Sequence, residues 1–241
     1  MTTRPISNHL SSQFDQDLSQ LASRVMAMGG ALEQQIVAAM QLLSSSETHP
    51  ALNTQEQTEK DINAMEREVD ALSAYLIARR QPAAQDLRFV LSMLKVCNNL
   101  ERMADESIKI IRQAHALRAL STPNQTNAWA GGVQIQSNVL AAVAMCQQMT
   151  RAALDALARL SVSDAKAVLV SDAALDTAYR NLMTQLIGCV QAVPQLAASV
   201  VEVLFLIKAI ERIGDHAKNI AECVVYIAQG EDIRHTQTLT H

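Results

Sequence analysis

Residues 203–227 read VLFLIKAIERIGDHAKNIAECVVYI. Within them Val203, Leu206, Ile210, Ile213, Ala217, Ile220, Val224 and Ile227 recur at alternating steps of three and four, the period of a helix that buries one stripe. Subtracting 110 from each number gives Met93, Val96, Leu100, Met103, Ser107, Ile110, Ala114 and Leu117, of which seven in eight are apolar. The chain therefore reads as two copies of one helical plan.

Working outward from these two stripes, turn-forming residues mark the remaining boundaries. A first helix begins near Asn8, carries Gly29-Gly30 as a weak spot, and ends in Ser44-Ser-Ser-Glu-Thr-His-Pro50. A second runs from about Asn53 to Arg80, and Pro82 opens a third at its first turn, which continues to about Leu120. Ser121-Thr-Pro-Asn-Gln-Thr-Asn127 is the richest turn-forming segment and separates residues 1–122 from residues 123–241. The second half repeats the plan with helices near 129–160, 163–192 and 194–229, the last closed by Gly230 as a C-cap. The predicted fold class is all-α: two tandem three-helix bundles related by an internal repeat.

Composition agrees. Apolar residues make up 49% of 241 but aromatics only 3%, with 7 Gly and 5 Pro, which suits packed helices. A net charge of -4 gives no attraction to nucleic acid or to an anionic membrane. Cys97, Cys146, Cys189 and Cys223 stand singly in apolar helical patterns, without CxxC spacing, and read as small core residues of a reducing compartment. The amino terminus lacks the apolar run of a secretory signal, so a cytoplasmic location is expected. Asn181 to Val201 is free of charge and long enough to span a bilayer, yet Gln185, Gln191, Pro194 and Gln195 favour a helix end and a turn near Val193-Pro194 over membrane insertion.

Only four pairs of acidic residues stand four positions apart: Glu66/Asp70, Glu101/Asp105, Asp172/Asp176 and Glu211/Asp215, two in each half. On a helix this spacing stacks like charges one turn apart, at a cost of a few tenths of about 1 kcal/mol unless something positive intervenes. With Ile210 and Ile213 on the buried stripe, Glu211 and Asp215 face away from it, as do Glu101 and Asp105. In the second helix Ile62, Met65, Val69, Leu72 and Leu76 form the stripe and place Glu66 and Asp70 on its flank, with Asp172 and Asp176 matching them around Leu175. Neighbouring helices can thus line one groove per repeat with four carboxylates, an all-oxygen donor set. It suits hard cations such as Mg²⁺, Mn²⁺, Ca²⁺ or iron and fits poorly with a structural zinc centre of Cys and His. The spacing does not choose among Mg, Mn, Fe, Zn and Ca. A solvated face paired with Arg102, Lys109, Arg212 and Lys218 is the plainer reading of the same residues. His216, beside Asp215, is expected as a solvated side chain.

Gln81-Pro-Ala-Ala-Gln-Asp-Leu-Arg88, Leu100-Glu-Arg-Met-Ala-Asp105, Ile210-Glu-Arg-Ile-Gly-Asp-His-Ala-Lys-Asn-Ile-Ala221 and Gln229-Gly-Glu-Asp-Ile-Arg-His235 closely resemble the PhoU family of phosphate-transport regulators. The resemblance implies a cytoplasmic, often dimeric negative regulator of the phosphate-starvation response, without enzymatic activity. It also implies an adaptor between a phosphate-importer ATPase subunit and a sensor histidine kinase. Some members hold multinuclear metal clusters on acidic motifs, which map here onto Glu66, Asp70, Glu101, Asp105, Asp172, Asp176, Glu211 and Asp215. Asn98-Asn99 stand where relatives often carry an acid, and Met103-Ala104 replace Ile-Gly, implying a weaker site in the first repeat.

A di-metal carboxylate enzyme of the ferritin-like kind is the alternative. It would need Glu with His three residues on, and neither Glu101 nor Glu211 has one.

Overall fold

The computed structural model describes residues 12–44, 51–120, 129 and 132–233, with residues 51–56 described by their backbone. The expected helix start at Asn8, the break after Ser44, the Ser121 to Asn127 boundary and the end of the tail lie outside these residues. Six α-helices follow in order: α1 (Ser12–Ser44), α2 (Ala51–Arg80), α3 (Ala84–Ala119), α4 (Val133–Arg159), α5 (Val162–Ala192) and α6 (Ala197–Gln229). At 1.5 Å per residue each is about 40–55 Å long.

Local chemistry explains the ends. Pro82 sits two residues ahead of α3, in a turn whose Gln81 has φ 48°. Ser161 caps α5 by accepting from the Asp164 N–H at 3.3 Å. The charge-free stretch breaks at Val193, where Pro194–Leu196 form a single 3₁₀ turn before α6, and among the described residues no helix is long and apolar enough to cross a membrane. Gly230, at φ 78°, ends α6 and donates its N–H to the Tyr226 carbonyl.

Every residue of both stripes is buried, from Met93 to Leu117 on α3 and from Val203 to Ile227 on α6. The helices α1, α2 and α3 all pack against one another, as do α4, α5 and α6. The two bundles are nevertheless fused. The most extensive interface in the molecule joins α3 to α6, and α1 also packs on α4. Among the described residues the backbone of α1 does not closely approach that of α6, nor α3 that of α4, so α1, α3, α6 and α4 form a closed ring with α2 outside one edge and α5 outside the other. Neighbours across the fusion run antiparallel: Asn99 meets His216 while Glu106 meets Arg212.

The expected weak spot in α1 is continuous helix. Gly29 is buried in the α1/α4 crossing, where an added Cβ would lie 2.6 Å from a Leu154 methyl, so the missing side chain permits the close approach. Polar ties fix the outer helices. Arg80 donates through Nε at 2.9 Å and Nη2 at 2.8 Å to buried Asp17, joining the end of α2 to the start of α1, and Arg118 donates to the Leu42 carbonyl at the end of α1.

Candidate functional site: two acidic ladders

The first ladder lies where α2 packs on α3. Burial raises the Glu66 carboxyl above its ordinary value, and Asp70 and Asp105 raise it further, against Arg102 and Arg67. Glu101 is likewise raised by burial first and then by Asp105 and Glu66. Glu66 thus feels Asp70 and, across the helices, Glu101 and Asp105. Their cationic company is thin. Arg102, half exposed, approaches Glu101 at 3.7 Å, beyond hydrogen-bonding distance. Cys97, buried behind the ladder, has its thiol pushed up to about 12 by burial and then by Glu66, Asp70 and Glu101.

The second ladder lies between α5 and α6. Burial raises the Asp215 carboxyl, followed by Glu211, Asp172 and Asp176, with Lys208 opposing. Gly214 makes the junction tight: a Cβ there would lie 2.3 Å from a Leu175 methyl. Asp172 departs from the outward placement expected of it, being only 6% exposed. Its charge is met by Lys218, whose Nζ donates to Oδ2 at 2.6 Å. Lys208 Nζ donates to Glu211 Oε2, also at 2.6 Å, and lies 5.5 Å from the centre of the Tyr179 ring. Hydrogen bonding to these carboxylates is the leading cause that raises both lysines above their ordinary value.

The ladders therefore differ as metal sites. Among the described residues no three His, Cys, Asp or Glu side chains stand together closely enough to hold a metal ion. In the first ladder the donor chemistry fits a hard cation, since four half-buried or exposed carboxylates repel one another, and binding would require them to draw together. In the second, ammonium groups already hold oxygens that a metal would need.

A third polar group went unread in the sequence. Glu106, only 3% exposed, accepts at 2.9 Å from Lys109 Nζ and forms an ion pair at 2.9 Å with Arg212 Nη1, and so ties α3 to α6. Lys109 and Arg212 therefore serve Glu106 rather than the ladders. Beside it Asn99 Oδ1 accepts from Asn219 Nδ2 at 3.2 Å, which makes that oxygen the acceptor for His216 Nδ1 at 2.9 Å. His216 is thus a half-buried interface residue, contrary to the solvated side chain expected. Asn99, the apparent loss of an acid, is the residue that receives it. The signal available in sequence was position: Glu106 and His216 are 110 residues apart, matching places on the two repeats.

The PhoU domain family model matches this chain twice, over residues 25–114 and 140–224, one match per repeat. The phosphate-specific transport system accessory protein PhoU homolog of Pseudomonas aeruginosa is 34% identical over 230 residues, covering 95% of this chain and 91% of that protein. The phosphate-specific transport system accessory protein PhoU of Escherichia coli K12 is 33% identical over 235 residues, covering 98% and 93%. The crystal structure of PhoU from Pseudomonas aeruginosa superposes with a TM-score of 0.82 at 33% identity, covering 91% of this chain and 100% of that one. That of the phosphate transport system regulatory protein PhoU from Streptococcus pneumoniae, at 23% identity and TM-score 0.75, shares the fold. With two family domains, near-complete coverage and a common all-α architecture, this chain belongs to the PhoU family.

Proposed function

We propose that this chain is an accessory protein of phosphate-specific transport that acts as a negative regulator of the phosphate-starvation response. The observation that carries the reading is similarity over 95% of the chain to a protein named for that system. On this reading it works without catalytic turnover, in the cytoplasm and as a homodimer. It binds the ATPase subunit of a phosphate importer and a sensor histidine kinase. A cation held on the first acidic ladder would adjust the helix faces offered to these partners.

The surface suits an adaptor. Around the α5–α6 hairpin end Ile187, Val193, Val201 and Phe205 are between 44% and 59% exposed, within or beside the charge-free stretch, and offer apolar area for a protein partner to bury. Val201 and Phe205 stand four apart on one helix face. The direct test is binding of the purified chain to the purified importer ATPase subunit and to the kinase's cytoplasmic part. Binding that Phe205→Glu weakens supports the reading, and no binding to either protein removes it.

A further inference from the structure

We infer that the second acidic ladder takes its counter-ions from the chain itself: Lys208 and Lys218 occupy the places of a metal ion, and Asp172, Asp176, Glu211 and Asp215 bind no divalent cation while those lysines are present. The inference rests on the reading that the ladders are candidate cation sites, and it divides them.

Three residues build the closure, and the first repeat lacks all three. Lys218 reaches from α6 to Asp172 on α5, and Lys208 reaches along α6 to Glu211, each at 2.6 Å. One carboxylate from each helix of the ladder is therefore already bonded to an ammonium. Both lysines also lie within electrostatic reach of Asp215, the most central acid of the group. Tyr179 lies with its ring 5.5 Å from the Lys208 ammonium, which holds that side chain over the ladder. Shifted by the repeat offset of 110 on the last helix of each repeat, Lys208 and Lys218 become Asn98 and Ile108. The offset between the middle helices is 106, from Glu66/Asp70 to Asp172/Asp176, and it turns Tyr179 into Ser73. Neither Asn98, Ile108 nor Ser73 can supply a positive charge.

The physical competition is direct. A hard cation needs carboxylate lone pairs at short range, and each ammonium here already takes one in a charge-assisted hydrogen bond. Metal entry would have to break those bonds and leave two positive charges beside a third, doubly charged one. The acids that remain, Asp176 and Asp215, stand on different helices, α5 and α6. Metal dependence, if it resides in the ladders, resides in the first repeat. This inverts the order implied by Asn98-Asn99 and Met103-Ala104.

Mn²⁺ binding, followed by the electron paramagnetic resonance signal of the free ion, tests this on the full chain. Glu101→Gln/Asp105→Asn serves as the background that removes the first ladder. That background is expected to bind no Mn²⁺ at the second ladder. Adding Lys208→Gln/Lys218→Met is expected to create a Mn²⁺ site, at least about tenfold tighter than any residual binding by the background, which Glu211→Gln/Asp215→Asn then abolishes. Circular dichroism checks the fold. Lys208→Gln alone, a half-exposed position, carries the same expectation should the double variant unfold. Two results would overturn the inference: Mn²⁺ binding by the background that Glu211→Gln/Asp215→Asn removes, or no new site in either lysine variant. Comparing wild type with the background decides the first ladder separately, so the two readings fail independently.

Discussion

Arg212 of α6 reaches across the junction of the two repeats to Glu106 of α3, Nη1 to Oε1 2.9 Å, and the carboxylate that it meets is almost completely buried. A buried carboxylate is tolerated only while its charge is answered, and here Lys109 on its own helix adds a hydrogen bond to the ion pair. The fusion of the two bundles thus includes a buried polar contact.

Arg212→Met is expected to destabilise the chain by about 1–3 kcal/mol, less than a fully buried broken pair, because the guanidinium is itself half exposed and Lys109 remains. Glu106→Gln in the same chain should return part of that loss. Urea unfolding of both single variants and the double gives the coupling energy, and additivity would contradict the contact.

Gly214 and Leu175 form a complementary pair, and the matching positions of the first repeat hold Ala104 and Val69, one methyl moved from one helix to the other. All four are buried. Gly214→Ala is expected to cost about 1–3 kcal/mol through overpacking against Leu175. Leu175→Val in that background should restore part of the loss by reproducing the first-repeat pair. Thermal unfolding of the double variant checks it.

His216 is held below its ordinary pKa by burial, then by Arg212, with Glu106 opposing and Arg102 adding. Asn99, the remaining group facing it, is neutral. An imidazole whose folded value lies below the unfolded value of 6.5 leaves the unfolded chain holding more protons between the two. Its contribution is full above 6.5 and is lost as pH falls through that interval. His216→Asn keeps an amide donor for Asn99 without titrating, and its unfolding free energy should fall less steeply below pH 6.5 than that of the wild type.

Glu101 behaves in the opposite sense. Its folded value is raised above 4.5, so the folded chain holds the extra proton and stability declines as pH rises through the interval above 4.5. Glu101→Gln is expected to stabilise the chain near neutral pH by about 0.5 kcal/mol, a relieved like-charge contact, and to give no gain below pH 4.5. Paired melting curves at the two ends of that range measure it.

The helices, their repeat and the turn at Val193-Pro194 were legible because each rests on local pattern: a period of three and four, a proline, a glycine cap. The ladder acids were legible for the same reason, as pairs four apart. The closed ring was not, because α3 buries Val90, Cys97, Ala104, Ile108 and Ile111 in addition to its stripe, and a second apolar face does not say which helix covers it. Nor were the partners of the acids. Lys208 and Glu211 are three apart and could have been paired on sight, whereas Lys218 and Asp172 are 46 residues apart and meet only once α5 lies on α6.

Deletion of the gene for this chain, with alkaline phosphatase measured in phosphate-rich medium, is the decisive experiment for the proposed repression of the phosphate-starvation response. High phosphatase activity is expected in the deletion strain, with a return to the repressed level when the wild-type chain is supplied. Repression that persists unchanged without the chain would contradict it.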